Sequence, residues 1–138
     1  MAVNTIDAVF KGGTNFTVGV NGHTIEIDTD ELSGGENKGS RPKILMLVSL
    51  AGCTGLDVVG ILKKMRVDFS DFSINVEGHL TDSIPTTYHK VIVHYSIKVA
   101  KEDEPKVVKA VKLSEEKYCG VTKMFQAFAD VSSDITYL

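Results

Sequence analysis

The two cysteines are the residues of this chain whose chemistry is most specific. Cys53 lies in the run AGCTG, inside the most hydrophobic segment, and Cys119 ends the run EKYC. Only a thiolate acts as a nucleophile or redox centre, whereas a protonated, packed thiol is a small inert hydrophobe. Both interpretations stay open, because no Cys-x-x-Cys spacing joins the pair and sequence alone does not bring the two sulfurs together.

A reactive Cys53 would need a nearby positive charge. The segment around it is predicted to be a helix opening at Pro42, and Cys53 lies about three turns from that end, beyond the reach of the helix dipole. A thiolate at this position therefore requires a Lys or Arg that the fold brings to it.

The remaining polar motifs favour neither a metal nor a bound cofactor. The four histidines lie on strand or loop patterns without metal-ligand spacing to each other or to a cysteine, so we interpret them as solvated side chains. The glycine-rich run SGGENKG over residues 33–39 fits neither the phosphate-loop pattern nor the dinucleotide fingerprint, and we interpret it as a mobile loop.

Composition excludes several classes of protein. The chain has 138 residues and a formal charge of −3, which suits one domain over residues 1–138 and argues against a nucleic-acid binder or a polybasic membrane anchor. No secretory signal is visible, and the uncharged stretch Ile44–Leu56 is shorter than the roughly 20 residues of a membrane span. Two cysteines without a signal peptide indicate a reducing compartment, so we expect a cytoplasmic protein.

The hydrophobic pattern predicts an α+β fold. Short alternating strands fill the first 28 residues, with a hairpin turn at Asn21-Gly22, and an almost wholly apolar helix follows from Pro42 to about Met65. Two long strands alternate between apolar and polar residues, which predicts an antiparallel sheet. Two helices and a terminal strand complete the order β-β-β-α-β-β-α-α-β. We expect the apolar helix to be central to the fold.

Two motifs in register resemble the OsmC/Ohr family, the osmotically inducible and organic-hydroperoxide-resistance proteins. The first is the glycine-rich loop followed by Arg41-Pro42, a Leu-rich helix and the AGC run that ends at Cys53. The second is LSEEKYC, residues 113–119, which is similar to the second-cysteine motif of that family. The element order agrees as well, and the chain is most similar to the uncharacterised OsmC-like subgroup.

The resemblance implies an intertwined homodimer in which two six-stranded sheets, built from both chains, wrap two central helices. It also implies a thiol-dependent peroxidase that needs no cofactor. Cys53 would be the peroxidatic thiolate that attacks a hydroperoxide, and Cys119 would resolve the resulting sulfenate as a disulfide. A dithiol, such as a lipoylated protein, would then reduce that disulfide.

The chain departs from the family in the groups that hold the thiolate. The peroxidases use an Arg and a Glu, but Lys43 and Ile44 stand where the Glu belongs, and the chain has only two arginines. Arg41 is the preferred substitute, because a guanidinium stays charged in a poorly hydrated pocket, while Lys11, Lys38 or Lys43 could serve in the same way. The alternative function is a non-enzymatic dimeric binding or redox-sensing protein without the Arg/Glu device.

Overall fold

The computed structural model describes all 138 residues, which form two compact units, residues 1–46 and residues 47–138. The first unit contains an antiparallel sheet of strands β1 (Asp7–Gly12), β2 (Asn15–Val20) and β3 (His23–Ile27). Asn21 and Gly22 both have positive φ, as a two-residue hairpin turn of the predicted kind requires. The sheet is thus a meander fixed by its turns.

The loop that follows β3 is organised around a buried carboxylate. Asp28 is 1% exposed and accepts hydrogen bonds from the Thr14 hydroxyl and from the backbone N–H groups of Thr29, Glu36 and Lys38. The sequence predicted a mobile loop here. Glycine content alone did not reveal that an aspartate eight to ten residues upstream collects the loop's N–H groups.

Two of the loop glycines are required by close backbone contacts. A Cβ on Gly35 would lie 2.3 Å from the carbonyl oxygen of Thr29, and one on Gly39 would lie 2.3 Å from the carbonyl of Glu26. A larger side chain would force Gly35 away from Thr29, or Gly39 away from β3. The glycine-rich motif therefore has a structural explanation in the packing of the loop.

The second unit is built on a mixed sheet. Strands β4 (Phe69–Leu80) and β5 (Tyr88–Val99) pair antiparallel, and β6 (Asp130–Tyr137) pairs parallel to β5. The inward side chains of β5 form much of the core and alternate with outward ones, as the period-two pattern predicted. The parallel pairing of β6 was not predicted, and it follows from the crossover that the intervening helices provide.

The helices confirm the predicted α+β order. Helix α1 spans Pro42–Lys64, α2 spans Glu104–Leu113 and α3 spans Gly120–Gln126. A single-turn 3₁₀ segment, Lys101–Asp103, precedes α2, and a π-helical turn, Ser114–Tyr118, joins α2 to α3.

Helix α1 is less buried than its composition suggested. Its buried side chains form one stripe at four-residue spacing: Leu50, Thr54, Val58 and Leu62. A second stripe, two residues out of step and so on the opposite side, is exposed: Ile44, Val48, Gly52, Leu56 and Gly60. By length and composition alone this helix could cross a membrane, a test that core helices of soluble proteins also pass. Within one chain, then, only one face of the predicted central helix is covered.

Candidate functional site

The two cysteines, far apart in sequence, lie together in the second unit. Cys53 Sγ, Cys119 Sγ and a carboxylate oxygen of Asp57 all lie within 4.8 Å of one another. Both cysteines are free thiols; Cys53 is partly exposed and Cys119 is 4% exposed. We call these three residues the Cys53–Asp57–Cys119 cluster.

Helix α1 places Cys53 and Asp57 one turn apart on the same face. Residues at i and i+4 are neighbours on a helix surface, so the carboxylate lies beside the thiol through local geometry alone. The sequence analysis did not identify Asp57 as a candidate site residue. The signal that could have found it is the Cys-x-x-x-Asp spacing, which is common enough to carry little information without the position of Cys119.

The π-helical turn sets the position of Cys119. The N–H of Cys119 donates to the carbonyl of Ser114 at 2.8 Å, a five-residue hydrogen bond that is wider than an α-helical turn. The chain then becomes extended at Cys119, whose sulfur accepts the N–H of Thr122 at 3.3 Å and so caps α3. A break between two helices thus holds the thiol in a fixed orientation.

Ser114 connects the same turn to Asp57. Its buried hydroxyl donates to Oδ2 of Asp57 at 3.0 Å, across 57 residues of sequence. The hydrogen bond orients the carboxylate beside the two sulfurs. One residue of the LSEEKYC motif therefore contributes to the site in addition to Cys119.

The surroundings of Cys53 favour its protonated form. Burial raises the pKa of the Cys53 thiol, and the hydrogen bond with Cys119 raises it further. The backbone N–H of Val121 opposes this by hydrogen bonding to the sulfur, while the charges of Cys119 and Asp57 add to the rise. None of the groups that shift this pKa is a cation.

Arg41, the third residue predicted for the site, belongs to the first unit. Its Nη1–H donates to the carbonyl of Gly39 at 2.9 Å, within the loop that Asp28 organises. Its positive charge is also one of the smaller influences that lower the pKa of Asp30, after the hydrogen bonds from Ser33. Lys38, an alternative candidate, forms an exposed ion pair with Glu36 at 2.7 Å.

A groove of about 560 Å³ opens beside Asp57. Its walls come from α1, the end of α2 and the π-helical turn, and they are largely apolar: Leu56, Ile61, Met65, Leu113 and Tyr118. Lys64 lies at the same groove. A small molecule with an apolar body could therefore reach the neighbourhood of the cluster along this groove.

The histidines take no part in the cluster. His94 lies on the outer face of the sheet, with Nδ1 2.8 Å from Asp134 and Nε2 3.0 Å from Glu77. Hydrogen bonds with these two carboxylates raise the pKa of His94. This is the partly exposed, polar-face placement that the alternation predicted.

Comparison with known proteins identifies the family of the chain. Residues 35–134 match the family model described as OsmC-like protein. The protein YhfA of Escherichia coli K12 is 29% identical over 122 residues, which cover 88% of each chain. A hypothetical protein from Aquifex aeolicus has a crystal structure with a TM-score of 0.82 and 30% identity, over 100% of this chain and 99% of that one.

A more distant structure shares the fold alone. An organic hydroperoxide resistance protein from Elizabethkingia anophelis superposes with a TM-score of 0.70 and 15% identity, over 99% of each chain. The α+β fold described above is therefore that of the OsmC-like structures.

Proposed function

Because the chain belongs to the OsmC-like protein family, we propose that it is a thiol-dependent peroxidase that reduces hydroperoxides with Cys53 and Cys119. The observation that carries this proposal is the pair of thiols within 4.8 Å of each other. A peroxidatic thiol must be reachable by substrate and a resolving thiol must be reachable by the first sulfur. The partly exposed Cys53 and the buried Cys119 suit these two roles in that order.

The reaction follows from the positions of the two sulfurs. The Cys53 thiolate attacks the terminal oxygen of the hydroperoxide, the O–O bond breaks, and the alkoxide leaves as an alcohol after taking up a proton. The sulfur is now a sulfenic acid. Cys119 attacks it as a thiolate, which forms the disulfide and releases water, and a dithiol or lipoylated protein restores both thiols by exchange.

A hydroperoxide-consumption assay with a dithiol reductant tests the proposal. Wild type is expected to turn over organic hydroperoxides, Cys53→Ser to lose consumption, and Cys119→Ser to accumulate a sulfenic or overoxidised Cys53. Peptide mapping after mild peroxide is expected to give one intrachain Cys53–Cys119 bond. Interchain bonds alone, or separately overoxidised thiols, would exclude Cys119 as the resolving residue.

We further propose that Arg41 supplies the positive charge that Cys53 lacks. Burial and the neighbouring carboxylate favour the thiol, so reaction near neutral pH requires a cation in the assembled protein. A guanidinium suits this position because it does not lose its proton when it is desolvated. The loop around Asp28 holds Arg41 through Gly39, and a second subunit could bring it to the site.

We propose that residues 1–138 act as a single OsmC-like domain within an intertwined homodimer. Proteins of this family are generally dimeric, and the exposed stripe of α1 is apolar and small enough for close helix packing. A Cβ placed on Gly52 or Gly60 in that stripe would have no neighbour within 4 Å, so another backbone could approach these glycines. The first sheet likewise exposes Phe10, 59% accessible, and Phe16.

Sedimentation at micromolar concentration tests the assembly. An obligate dimer should bury about 2,000 Å² or more in total and should not dissociate in this range. A stable monomer would contradict the proposal. Such a dimer would cover the apolar stripe of α1. We also propose a cytoplasmic location, where two thiols would stay reduced.

One observation favours a second function. The raised pKa of Cys53 would leave the thiol slow to react if no cation reaches it, and the protein would then be a dimeric binding or redox-sensing member of the family. The same consumption assay separates the two functions. Peroxide-driven disulfide formation without sustained turnover, under excess dithiol, would identify the sensor.

A further inference from the structure

The Cys53–Asp57–Cys119 cluster has the composition of a metal site as well as of a redox pair. We propose that, in its reduced state, the cluster binds one thiophilic divalent cation such as Zn²⁺ through Cys53 Sγ, Cys119 Sγ and a carboxylate oxygen of Asp57. The sequence predicted no metal site, because the three residues show no metal-ligand motif when read in order. Helical spacing pairs Cys53 with Asp57, and the fold brings Cys119 to them.

The distances suit a small tetrahedral cation. Zn–S bonds of about 2.3 Å and Zn–O bonds of about 2.1 Å place the ligand atoms of a tetrahedral site roughly 3.5–3.8 Å apart. The three ligand atoms of the cluster already lie within 4.8 Å of one another. A contraction of about 1 Å, within the range of side-chain rotation, would complete the ligand set.

The ligand types select among metals. Thiolates favour Zn²⁺, Cu⁺ and similar soft or borderline ions over Mg²⁺ or Ca²⁺. The carboxylate of Asp57 is already held by the hydroxyl of Ser114 at 3.0 Å, as ligating carboxylates commonly are held by a neighbouring donor. Three protein ligands leave the fourth position of a tetrahedral ion open to water.

Charge supports the same assignment. Two thiolates and one carboxylate carry three negative charges, and a divalent cation would offset most of that repulsion. Two backbone N–H groups, of Val121 and Thr122, already donate to the sulfurs and would fix their orientation toward the ion. Cys119 itself lines a second groove, formed by the π-helical turn and α3, which contains no residue of the exposed α1 stripe.

Cation binding and disulfide formation use the same two sulfurs and exclude each other. Binding exchanges two thiol protons for the cation. When a hydroperoxide oxidises the loaded site, two protons are taken up, the S–S bond forms, and alcohol, water and the free cation are released. The cluster would therefore hold its cation only while reduced, whether or not the protein turns over peroxide rapidly.

Cobalt is a suitable probe, because thiolate ligation gives it a near-ultraviolet charge-transfer absorption. Anaerobic titration of the reduced full-length protein with Co²⁺ is expected to give this absorption at one ion per chain, with Zn²⁺ displacing it. Asp57→Asn is expected to weaken binding at least about tenfold, while Asp82→Asn, an exposed aspartate outside the cluster, should bind as wild type does.

The oxidised wild-type protein provides a control that needs no folded variant, and it should show no thiolate-to-cobalt absorption. Absence of that absorption in the reduced protein, or equal affinity for wild type and Asp57→Asn, would overturn the proposal. Peroxide consumption is measured separately without added metal. Failure of the peroxidase proposal therefore leaves the cobalt result intact, and the reverse also holds.

Discussion

Each unit contains a polar centre that joins residues distant in sequence, and the two centres are built in opposite ways. In the first unit a single carboxylate, Asp28, receives one hydroxyl and three backbone N–H groups. In the second unit the Ser114 hydroxyl donates to the Asp57 carboxylate, and the N–H groups of Val121 and Thr122 donate to the sulfurs of Cys53 and Cys119. Donors outnumber the acceptor in one centre, whereas ionisable acceptors dominate the other.

The pKa values follow this difference. The hydrogen bond from Thr14 and the N–H of Lys38 lower the pKa of Asp28 to about 2, although burial opposes them. Burial and neighbouring sulfur raise the pKa of Cys53. A buried side-chain oxygen without a hydrogen-bond partner, Oγ1 of Thr122, also lies in the helix that Cys119 caps. A satisfied centre stabilises a fold, whereas an incompletely satisfied one can react or bind.

The largest expected effect comes from weakening the satisfied centre. Asp28→Asn would set an amide NH₂ against backbone N–H donors, so the loop over residues 28–41 should open and the melting temperature should fall by several degrees. Since the folded pKa of about 2 lies below the unfolded value near 3.8, this stabilisation is complete above about pH 4. It is lost as pH falls from about 4 to about 2.

Thermal unfolding between pH 2 and pH 7, together with hydrogen exchange of the loop amides, measures this contribution. Glu31→Gln, an exposed position in the same loop, is the matched control and should unfold as wild type does. If Asp28→Asn kept the wild-type acid dependence, Asp28 would not be the group that organises the loop.

The contrast between the centres also explains which features the sequence could predict. The order of elements, the Asn21-Gly22 turn and the alternation along β5 depend on local pattern, and the structure confirms them. The contacts of Asp28 with the glycine-rich loop, and of Asp57 with Ser114, join residues that no short motif links. A parallel strand such as β6 is equally non-local, because its partner is set by a crossover.

The burial of α1 is a second feature that the sequence predicted only in part. An apolar helix predicts a covered helix, but composition does not say which chain does the covering. One chain covers only the stripe that contains Leu50, Thr54 and Val58, and leaves Leu56 79% exposed. Cys53 and Cys119 could be identified as candidates by residue type, whereas the rise in the pKa of Cys53 comes from burial and from neighbours that no short motif encodes.

A smaller effect is expected from removing the guanidinium of Arg41, the positive charge proposed to act on Cys53. If Arg41 contacts the Cys53 thiolate in the dimer, Arg41→Ala should slow alkylation of Cys53 at pH 7 by at least about tenfold, because an opposite charge at close range favours the ionised form. The alkylation rate is measured against pH, with a chelator present. Arg41→Lys should recover part of the rate.

Arg66→Ala removes the other arginine of the chain, which is exposed just beyond α1, and serves as the matched control. An unchanged alkylation profile in Arg41→Ala would exclude Arg41 from the site. Lys38 and Lys43 would then be the next residues to replace.

The smallest expected effect is that of Asp57→Asn on the alkylation rate of Cys53. The substitution should change thiol reactivity and cation binding in opposite directions. The Asp57 charge is the last of the influences that raise the pKa of Cys53, so Asp57→Asn should lower that pKa and speed alkylation at pH 7. The Asp57 charge is the weakest of the influences on this pKa, so the gain should be only severalfold, close to the effect of the roughly 1 kcal/mol by which two unit charges 4 Å apart interact in water. Asp57→Asn is also expected to weaken cobalt binding, because it removes a carboxylate ligand from the proposed site. Local unfolding of α1 would also expose the thiol and weaken cobalt binding, so the melting temperature of Asp57→Asn is measured as well and should match that of wild type. Asp82→Asn should change neither quantity. Slower alkylation in Asp57→Asn would show that the carboxylate helps Cys53 to lose its proton rather than opposing ionisation by its charge.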